Sequence, residues 1–380
     1  MRVIQITPAY KPAYIYGGPT VSVALLCEGL VKLKVNVIVY TTTANGEEDF
    51  ATDESITQVE DVGVIYFKRL WKGQLHLSIS LLKALFLKTS ARDIFHVHSW
   101  WNATAILSTL VGIIRRNKIV LSPRGMLTRY SLTNRQMLLK KVFHGLFGKW
   151  ILNQCLIHVT SEKEKQDVLD FIGHKRIVVI PNIADNTFLT NSKRIFKKEI
   201  PCDFKLLFLS RIEEKKGIET LLLALAKLKF SWHLTIAGSG NHKYIQYLKS
   251  EVTRLKLQEK VNWIGFVDAK DKVKVLIDHD LLVLFSYNEN FANVVIESLS
   301  SGLPVALSDS VGLADFVTEF GLGWVSKNDV LAITCLLENA FLDVKQRSLI
   351  RKIAPTIIKQ HFNQESISAR YLAMYLNYEY

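Results

Sequence analysis

The sequence has few cysteines, few prolines and no long apolar run. Its 380 residues include four cysteines and eight prolines. The cysteines are far apart and form no Cys-x-x-Cys pair, which excludes a disulfide scaffold and a cysteine zinc site. No stretch of 18 or more apolar residues indicates a spanning helix, and the first residues lack the apolar core of a signal peptide. We therefore expect a cytoplasmic protein.

Acidic residues are nearly absent from one long segment. Between Val62 and His158 the chain carries fifteen lysines and arginines but a single acid, Asp93. This block contributes much of the formal net charge of +13. Such one-sided charge indicates an anionic partner, which is a membrane surface, a nucleic acid or a phosphorylated substrate. A basic surface that only keeps the protein soluble is the alternative.

Short β-rich runs alternate with longer helical patterns along the chain. In the first half, strands are predicted at Val3–Thr7, Val35–Thr41, Val64–Phe67, Ile94–Val97, Ile119–Ser122, Leu156–Val159 and Ile177–Ile180. After a turn-like segment, strands are predicted at Leu206–Ser210, His233–Ala237, Val261–Ile264, Leu281–Phe285 and Pro304–Leu307. This order predicts an α/β fold of two Rossmann-like, doubly wound domains that face each other across a cleft.

Two glycines near the start, Gly17 and Gly18, follow the first predicted strand and directly precede a helical pattern. Glycines at such a position let backbone N–H groups approach a phosphate, and the helix N-terminus adds about half a positive charge. A plain turn is the alternative. The sequence lacks the Gly-x-Gly-x-x-Gly fingerprint of dinucleotide-binding domains.

Two cations flank the loop after the first predicted strand of the second domain. Arg211 ends that strand, and Lys216 opens the helix that follows. Two cations at the carboxyl end of a strand, beside a helix N-terminus, suit a pyrophosphate. A solvated charged turn is the alternative.

Two carboxylates, Glu289 and Glu297, stand eight positions apart around a predicted helix start near Asn293. Glu289 falls in the loop at the carboxyl end of a strand, whereas Glu297 lies one turn after Asn293 on the same helix face. A carboxylate on that face can accept hydrogen bonds from ribose hydroxyls. The apolar neighbours of Glu297 argue against an ordinary surface position, because a buried carboxylate needs partners.

Polar side chains also end two predicted strands of the first domain. His96 and His98 alternate along one strand, so they point to the same face of the sheet, with His98 nearer the cleft. Arg124 ends the next strand and also faces the cleft. A zinc site would need a third ligand, which the sequence does not show, so histidines of the core or the cleft are the alternative.

One further pair, Asp278 and Asp280, is similar to the Asp-x-Asp that holds Mn²⁺ or Mg²⁺ beside a nucleotide sugar. A metal-binding pair follows a strand, whereas this pair precedes the predicted strand Leu281–Phe285. The end of a helix and the start of a strand explain it instead. We therefore predict no metal site.

Together these motifs resemble the retaining glycosyltransferases of the GT-B fold, glycosyltransferase family 4, over the whole chain. The most specific element is Glu289-x7-Glu297 with the trailing Ser301-Gly-Leu-Pro304. It is similar to the family's E-x7-E motif and the GxPV that follows. Three other segments are also similar to family patterns: Ser210–Gly217, Ile236–Gly240 and Ile264–Phe266.

The resemblance implies a role for each domain. Residues 1–182 would form an N-terminal acceptor-binding domain, and residues 183–364 a C-terminal domain that binds a nucleotide sugar. The C-terminal helix, about 365–380, would cross back to the first domain. The sequence pattern alone allows this helix to cap the second domain instead.

The resemblance also implies which residues hold each part of the donor. Arg211 and Lys216 would hold the diphosphate, and Glu297 the ribose. The full set of predicted donor-binding residues is Gly17, Gly18, Arg211, Lys216, Gly238, Phe266, Asn290, Phe291, Ala292, Asn293 and Glu297. The predicted catalytic residues are His98, Arg124 and Glu289, of which Glu289 contacts the donor sugar.

Two positions depart from the family's pattern. Ala292 stands where the family often has glycine. Arg124 ends a strand where many members have a histidine, and His98 fits the role of that histidine less well. The group that hydrogen-bonds or transfers a proton at this position is therefore open.

The reaction implied is transfer of a sugar from a UDP- or GDP-linked donor to a glycan acceptor, with retention, in the biosynthesis of bacterial surface polysaccharide (O-antigen, capsule or exopolysaccharide). No cofactor is expected, because cationic side chains take the place of a metal. One alternative is a GT-B epimerase that acts on a nucleotide sugar without an acceptor. The other is a basic nucleic-acid-binding protein, but the sequence lacks the signature of such a module, so we expect no nucleic-acid partner.

A last pattern predicts where the enzyme works. Helical spacing from Arg135 to Ile151 forms one apolar stripe: Leu139, Val142, Phe143, Leu146, Phe147 and Trp150. Basic residues flank it, namely Arg129, Arg135, Lys140, Lys141 and Lys149. Packing on the domain's own core is one explanation. The other is an anionic membrane surface, and it predicts a peripheral enzyme on the inner face of the cytoplasmic membrane that extends a polyprenyl-diphosphate-linked acceptor.

Overall fold

The structure, a computed structural model, describes residues 1–73, 75–128, 137–173, 176–189 and 203–377. It divides into two compact units, Met1–Ile183 with Gln364–Tyr380 and Ala184–Asn363. Each unit has its own predominantly parallel sheet and its own buried apolar core. None of the helices in these described ranges combines the length and the apolar composition needed to cross a bilayer.

The first unit is built on an eight-stranded sheet and a small two-stranded one. Its strands are β1 (Arg2–Ile6), β2 (Asn36–Thr42), β3 (Ala44–Asn45), β4 (Glu48–Asp49), β5 (Ile56–Val59), β6 (Val62–Phe67), β7 (Ile94–His98), β8 (Lys118–Ser122), β9 (Leu156–Val159) and β10 (Ile177–Val179). The large sheet has the order β10-β9-β8-β7-β1-β2-β6-β5, and only the edge strand β5 runs antiparallel to its neighbour.

Helices connect these parallel strands, as crossovers of this kind require. They are α1 (Gly18–Lys32), α2 (Ile79–Leu87), α3 (Ala103–Ile114), α4 (Met137–Phe143), α5 (Lys149–Asn153) and α6 (Glu162–Ile172). Side-chain caps fix where three of them begin: Ser78 accepts from the backbone N–H of Leu81, Asn102 from that of Ala105, and Ser161 from that of Glu164. The last of these caps is the one that the Ser161–Glu164 pattern predicts.

The second unit repeats the same alternation around a six-stranded, fully parallel sheet. Its strands are β11 (Phe204–Leu209), β12 (Trp232–Ala237), β13 (Val261–Gly265), β14 (Leu281–Leu284), β15 (Val305–Ser308) and β16 (Gly323–Ser326). Its helices are α7 (Ile218–Leu225), α8 (His242–Arg254), α9 (Ala269–Ile277), α10 (Asn293–Ser300), α11 (Ala314–Glu319), α12 (Val330–Leu342) and α13 (Val344–Phe362). The strand order is β13-β12-β11-β14-β15-β16.

The C-terminal helix α14 (Gln364–Leu376) belongs to the first unit. It packs against α1 so closely that a side chain at Gly29 would meet the Ser368 hydroxyl at 2.0 Å. The rings of Tyr371 and Tyr375 on α14 are fully buried. The first unit is therefore assembled from both ends of the chain.

Both sheets have a topological switch point beside their first strand. In the first sheet, strands that come later in the chain lie on both sides of β1. In the second sheet, β12 and β13 lie on the outer side of β11, and β15 and β16 lie on the outer side of β14. In open α/β sheets, ligands bind beyond the carboxyl ends of the strands at such a point. Gly17 and His98 follow or end strands there in the first unit, and Arg211 and Glu289 do so in the second.

The doubly wound α/β fold predicted from the sequence is confirmed. All twelve predicted strands are present, and their ends differ from the prediction by two residues or fewer. The short strands β3, β4, β5 and β16 were not predicted. The helix start predicted near Ala292 or Asn293 also agrees, since α10 begins at Asn293.

Candidate active site

In the second unit, the loops after β11 and β14 lie side by side at the switch point. The backbone N–H of Tyr287, after β14, donates to the carbonyl of Lys215, after β11, at 2.8 Å. The hydroxyl groups of Tyr287 and Thr220 are 2.7 Å apart. These bonds hold the two loops together, so that Lys216 of one meets Glu289 of the other.

Lys216 and Glu289 form a buried ion pair between Nζ and Oε2, and Lys216 is only 6% exposed. Burial tends to raise the pKa of Glu289, but the charges of Lys216, Lys215 and Arg211 outweigh it. The pKa of this carboxyl group is therefore lowered, and it stays ionised. Burial lowers the pKa of Lys216, and Glu289 opposes that shift. The carboxylate that the family resemblance assigns to the donor sugar thus contacts the lysine assigned to the diphosphate.

Arg211 is the accessible cation of this loop. Its Nη1 lies 2.9 Å from Glu213 Oε1, and half of its side chain is exposed. Lys215 lies 3.5 Å from the other oxygen of Glu213. With Lys216, the loop carries three cations and two carboxylates, Glu213 and Glu214, and Glu289 of the neighbouring loop balances the remaining charge. The half-exposed Arg211 is therefore the group of this loop that suits an anionic ligand at the switch point.

Two glycines let the backbone around these cations pack closely. Gly217 has φ +66, and a Cβ there would lie 2.1 Å from the Phe285 carbonyl oxygen. Gly238 has φ +144, and a Cβ there would lie 1.8 Å from the Ser210 carbonyl oxygen. The N–H of Gly238 donates to the carbonyl of Gly265 at 2.7 Å. Gly238 therefore shapes the loop of Arg211, and the donor contact predicted for Gly238 stays a prediction.

Helix α10 begins directly after a strained residue. Ala292 has φ +66 and ψ +74, a left-handed conformation that costs an L-residue about 1–2 kcal/mol and costs glycine almost nothing. This geometry explains why glycine suits the position. Asn293 is the first residue of α10, and Glu297 follows one turn later with 9% exposure.

The buried Glu297 has a partner that sequence reasoning missed. Lys272, on α9, places its Nζ against Glu297 Oε2 as an ion pair, without the alignment of a hydrogen bond. The same ammonium group lies 5.6 Å from the centre of the Phe188 ring, within range of a cation–π contact. The sequence indicated only that the buried carboxylate of Glu297 needs a cation. It did not indicate that Lys272 supplies this cation.

The other predicted donor-binding residues differ in exposure. Phe266 is exposed after β13, and Asn290 is partly buried beside Glu289. Phe291 is buried in the core of the unit, with its ring 5.9 Å from that of Phe362. The Phe291 side chain is therefore part of the core, and only its backbone can reach a ligand.

In the first unit, Gly17 and Gly18 form the start of α1. Gly17 has φ +71 and precedes the helix, and Gly18 is its first residue. A Cβ at Gly17 would meet no atom within 4 Å, so the space beside this backbone is open. The amino end of a 15-residue helix favours negative charge, which agrees with the predicted approach to a phosphate.

Arg124 lies two residues beyond β8 and is held by three acceptors. Its Nη1 donates to Ser22 Oγ at 3.1 Å and to Asn182 Oδ1 at 2.8 Å. Its Nη2 donates to His98 Nδ1 at 3.2 Å. Ser22 lies on α1, one turn after Gly18, so the guanidinium group stands beside the amino end of that helix.

His98 is only 2% exposed and lies behind Arg124, although the sequence predicted a catalytic role for it. Because an arginine can only donate, His98 accepts on Nδ1 and carries its proton on Nε2. That proton goes to Gln5 Oε1 at 2.7 Å, and Gln5 Nε2 donates to the Tyr375 hydroxyl at 3.2 Å. The enclosed ring holds Arg124 in place, and the catalytic role predicted for His98 stays a prediction.

The same chain of hydrogen bonds continues through two more histidines. The Tyr375 hydroxyl donates to His96 Nδ1 at 2.6 Å, and His96 Nε2 donates to Ser122 Oγ at 2.7 Å. Ser122 then donates to His158 Nδ1 at 2.7 Å, and His158 Nε2 donates to the Ile180 carbonyl at 2.8 Å. Since a carbonyl can only accept, the direction of every bond follows if each histidine is neutral.

The pKa values of these histidines agree with neutral rings. Burial, with the positive charge of Arg124, lowers the pKa of His158 to about 3. Burial and the neighbouring charges lower the pKa of His96 and His98 well below 6.5. The sequence placed His96 and His98 on one face of the sheet, and their ring centres are 4.2 Å apart.

Asp278 and Asp280 lie at the other end of β14 from the site. Asp278 ends α9, and Asp280 Oδ1 lies 3.1 Å from Arg351 Nη2. Within the residues that the structure describes, no three histidine, cysteine or acidic side chains are grouped to hold a metal ion. The pair therefore has a structural place between a helix and a strand.

Two family models match the chain, one to each part. The model described as Glycosyltransferase Family 4 matches residues 16–188, and the model described as Glycosyl transferases group 1 matches residues 191–355. The uncharacterized glycosyltransferase MJ1607 of Methanocaldococcus jannaschii is 24% identical over 99% of this chain and 98% of its own length. The O-antigen biosynthesis glycosyltransferase WclY of Escherichia coli is 26% identical over 53% of this chain and 56% of its own.

Solved structures give the same fold. HepE of Anabaena, solved in complex with UDP and glucose, superimposes with a TM-score of 0.75 at 19% identity over 100% of both chains. The two family models, which together match most of the chain, and the two doubly wound units show a glycosyltransferase of the GT-B fold that is similar to family 4. Its relatives include a glycosyltransferase of O-antigen biosynthesis.

Proposed function

We propose that the chain transfers a sugar from a nucleotide-diphospho-sugar to a glycan acceptor with retention of the anomeric configuration. The observation that carries this proposal is the loop of Arg211 and Lys216 at the switch point of the second unit. Glu289, on the neighbouring loop, pairs with Lys216, and Glu297, on α10, pairs with Lys272. The complexes of HepE with UDP and glucose support UDP as the nucleotide.

The ion pair of Glu289 favours front-face transfer over a covalent intermediate. A carboxylate held by a buried ammonium group is a poor nucleophile, because attack would break the pair inside the protein. In front-face transfer, the acceptor oxygen bonds to C1 as the bond from C1 to the diphosphate breaks. The acceptor proton passes to a diphosphate oxygen. Arg211 and Lys216 stabilise the departing charge, so the proposal includes catalysis without a metal.

Binding of nucleotides tests the donor proposal. We expect UDP, at 100 times its dissociation constant, to add about 2.7 kcal/mol to the free energy of unfolding, with or without EDTA. Thermal shifts with UDP, GDP and ADP measure this. Turnover with UDP-sugars should release UDP only when a glycan acceptor is present, whereas an epimerase needs no acceptor. Absence of a shift with all three nucleotides would contradict the proposal, and loss of binding or turnover in EDTA would contradict metal independence.

For the acceptor, we propose a polyprenyl-diphosphate-linked glycan at the inner face of the cytoplasmic membrane. The support is the predicted apolar stripe, most of which lies on the surface of the first unit. Its exposed members are Val142 (51%), Leu146 (68%), Phe147 (59%) and Trp150 (53%). Packing on the unit's own core, the alternative from the sequence, therefore does not account for these four. The name of the relative WclY, from O-antigen biosynthesis, supports a surface-polysaccharide acceptor.

The stripe differs in shape from the predicted helix. Between α4 and α5 the chain forms one π-helical turn, His144–Gly148, and Phe143 turns partly inward against Trp101. The side chain of Leu139 and the whole of Arg129 and Arg135 lie outside the described residues. Three basic residues of the prediction are described: Lys140, which lies 5.4 Å from the Trp101 ring, Lys141 and Lys149.

Flotation with liposomes tests the membrane proposal. We expect the wild type to float with vesicles containing anionic lipid at about 0.1 M salt, and to stay at the bottom with neutral vesicles. Lys140→Glu with Lys141→Glu should reduce the bound fraction more than tenfold, since each basic residue contributes about 1 kcal/mol near an anionic surface. Leu146→Ser with Phe147→Ser should also reduce it.

The matched control is Lys227→Glu with Lys229→Glu, which makes the same change of charge at exposed lysines of the second unit. This control should float like the wild type. A wild type that stays at the bottom with anionic vesicles, or a control that loses binding equally, would make a soluble acceptor the better explanation.

A further inference from the structure

Glu297 is an acidic residue in an apolar setting, and its position depends on a neighbouring helix. On α10 it is flanked by buried apolar side chains, among them Val295, Ile296 and Leu299. A carboxylate in such surroundings is costly unless a cation accompanies it. The cation here is Lys272, which reaches Glu297 Oε2 from α9.

Lys272 is itself fixed in place, so it can fix its partner. Only 23% of its side chain is exposed, and its ammonium group lies 5.6 Å from the centre of the buried Phe188 ring. Helix α9 is capped by Asp268, whose side chain accepts from the backbone N–H groups of Lys270 and Asp271. The lysine therefore projects from a well-anchored first turn of a helix, between an aromatic ring and the carboxylate.

We infer that Lys272 is a positioning residue for donor binding, which holds Glu297 so that its carboxylate accepts hydrogen bonds from the ribose hydroxyls. This inference rests on the proposed function, in which Glu297 contacts the ribose. Lys272 contacts Oε2, so the inference assigns the other oxygen, Oε1, to the ribose hydroxyls. A free carboxylate on this helix would rotate between several rotamers and would lose part of its binding energy in being ordered.

The inference separates Lys272 from the other cations of the site. Arg211 and Lys216 act on the diphosphate, so their loss weakens every nucleotide that carries one. Lys272 acts through the ribose, so its loss weakens a ribonucleotide and spares a nucleotide without ribose hydroxyls. The ratio of the two affinities therefore reports on Lys272, whereas a general loss of stability leaves that ratio unchanged.

The experiment compares UDP with 2′,3′-dideoxyuridine diphosphate by calorimetry. The wild type should bind UDP at least about tenfold more tightly than the dideoxy compound, as expected for hydrogen bonds to a charged group. Lys272→Met should reduce this preference to about threefold or less and leave the dideoxy affinity unchanged within about twofold. Lys272→Arg, which keeps the cation, should restore most of the preference.

Further variants test whether the change in nucleotide preference is specific to Lys272. Lys274→Met removes an exposed lysine of the same helix and should retain the wild-type preference. Glu297→Gln should lose the preference, and adding Lys272→Met to it should cause no further loss, because the lysine acts through the carboxylate. Lys272→Gln replaces Lys272→Met if the methionine variant does not fold.

The outcomes distinguish this inference from the proposed function. A folded Lys272→Met protein with the full wild-type preference overturns the positioning role, and so does an equal loss for both nucleotides, which would place Lys272 at the diphosphate. A wild type that binds neither UDP nor GDP overturns the proposed donor instead. A wild type that binds UDP and its dideoxy analogue equally overturns the ribose role of Glu297 and the inference with it.

Discussion

Lys216→Met should lower kcat by about 10²–10³-fold in a protein that still folds. In the proposed function the ammonium group stabilises charge that develops on the departing diphosphate, and loss of one such preorganised donor typically costs about 2.7–4 kcal/mol. The methyl end of methionine fills similar space but cannot donate. The measurement is steady-state kinetics with the UDP-sugar found by the nucleotide screen.

The same change should also reduce stability, because it leaves Glu289 buried without its cation. Breaking a buried ion pair from one side typically costs about 3–5 kcal/mol. Adding Glu289→Gln removes the stranded charge, so the double variant should unfold at higher denaturant concentration than Lys216→Met while it stays inactive. The two effects are therefore separable by guanidinium unfolding.

A neighbouring lysine gives the control for Lys216. Lys215 is one position earlier, but it is about one third exposed and faces Glu213. Lys215→Met should change kcat by no more than a few fold, since exposed ion pairs contribute about 0–1 kcal/mol. A kcat within fivefold of the wild type in folded Lys216→Met protein would contradict the assignment of this lysine to the diphosphate.

The buried parallel strands could be read from the sequence because both of their faces lie in the core. Strand β7 is buried at every position and reads as a compact β-rich run. The edge strand β5 carries Thr57 and Gln58 and is largely exposed, so it has no such signal. Strand β16 contains Gly323 and only half-buried residues, which are poor indicators of a strand.

The candidate site was predictable where its parts are close in sequence. Glu289 and Glu297 are joined by one loop and one helix turn, so their spacing alone fixes their relation. The link between Gln5 and Tyr375 spans 370 positions and brings a C-terminal helix to the first strand. No local pattern carries such a pairing, and the same is true of Lys272 and Glu297.

The three buried histidines should make the protein sensitive to acid. Their pKa values are lowered in the folded state, His158 to about 3, whereas in the unfolded chain they return to about 6.5. Unfolding therefore takes up protons as the pH falls below 6.5, and stability is lost in that direction. For each ring that stays neutral at pH 5, the loss is about 2 kcal/mol.

A loss of about 6 kcal/mol from three rings compares with a typical total stability of about 5–15 kcal/mol. Two carboxyl groups act in the opposite direction: burial raises the pKa of Glu164 and of Asp167, so their protonation favours the folded state as the pH falls. Histidines with lowered pKa values outnumber them between pH 6.5 and 5, since the pKa values of His76, His144 and His279 are lowered as well. We expect the guanidinium midpoint to fall steeply across this window.

The number of protons taken up on unfolding can be measured from the pH dependence of the unfolding free energy. The slope of unfolding free energy against pH near pH 5.5 should correspond to at least two protons more in the unfolded state, and His158→Gln should reduce it by about one. Glutamine keeps an N–H donor for the Ile180 carbonyl, which limits the structural damage. His233→Gln is the control, because it removes an exposed histidine that pairs with Asp203. In this variant the unfolding free energy should fall with decreasing pH at the wild-type slope. A flat profile between pH 7.5 and 5 in the wild type would show that the buried rings are charged, and the one-directional chain from Arg124 to Ile180 would then be wrong.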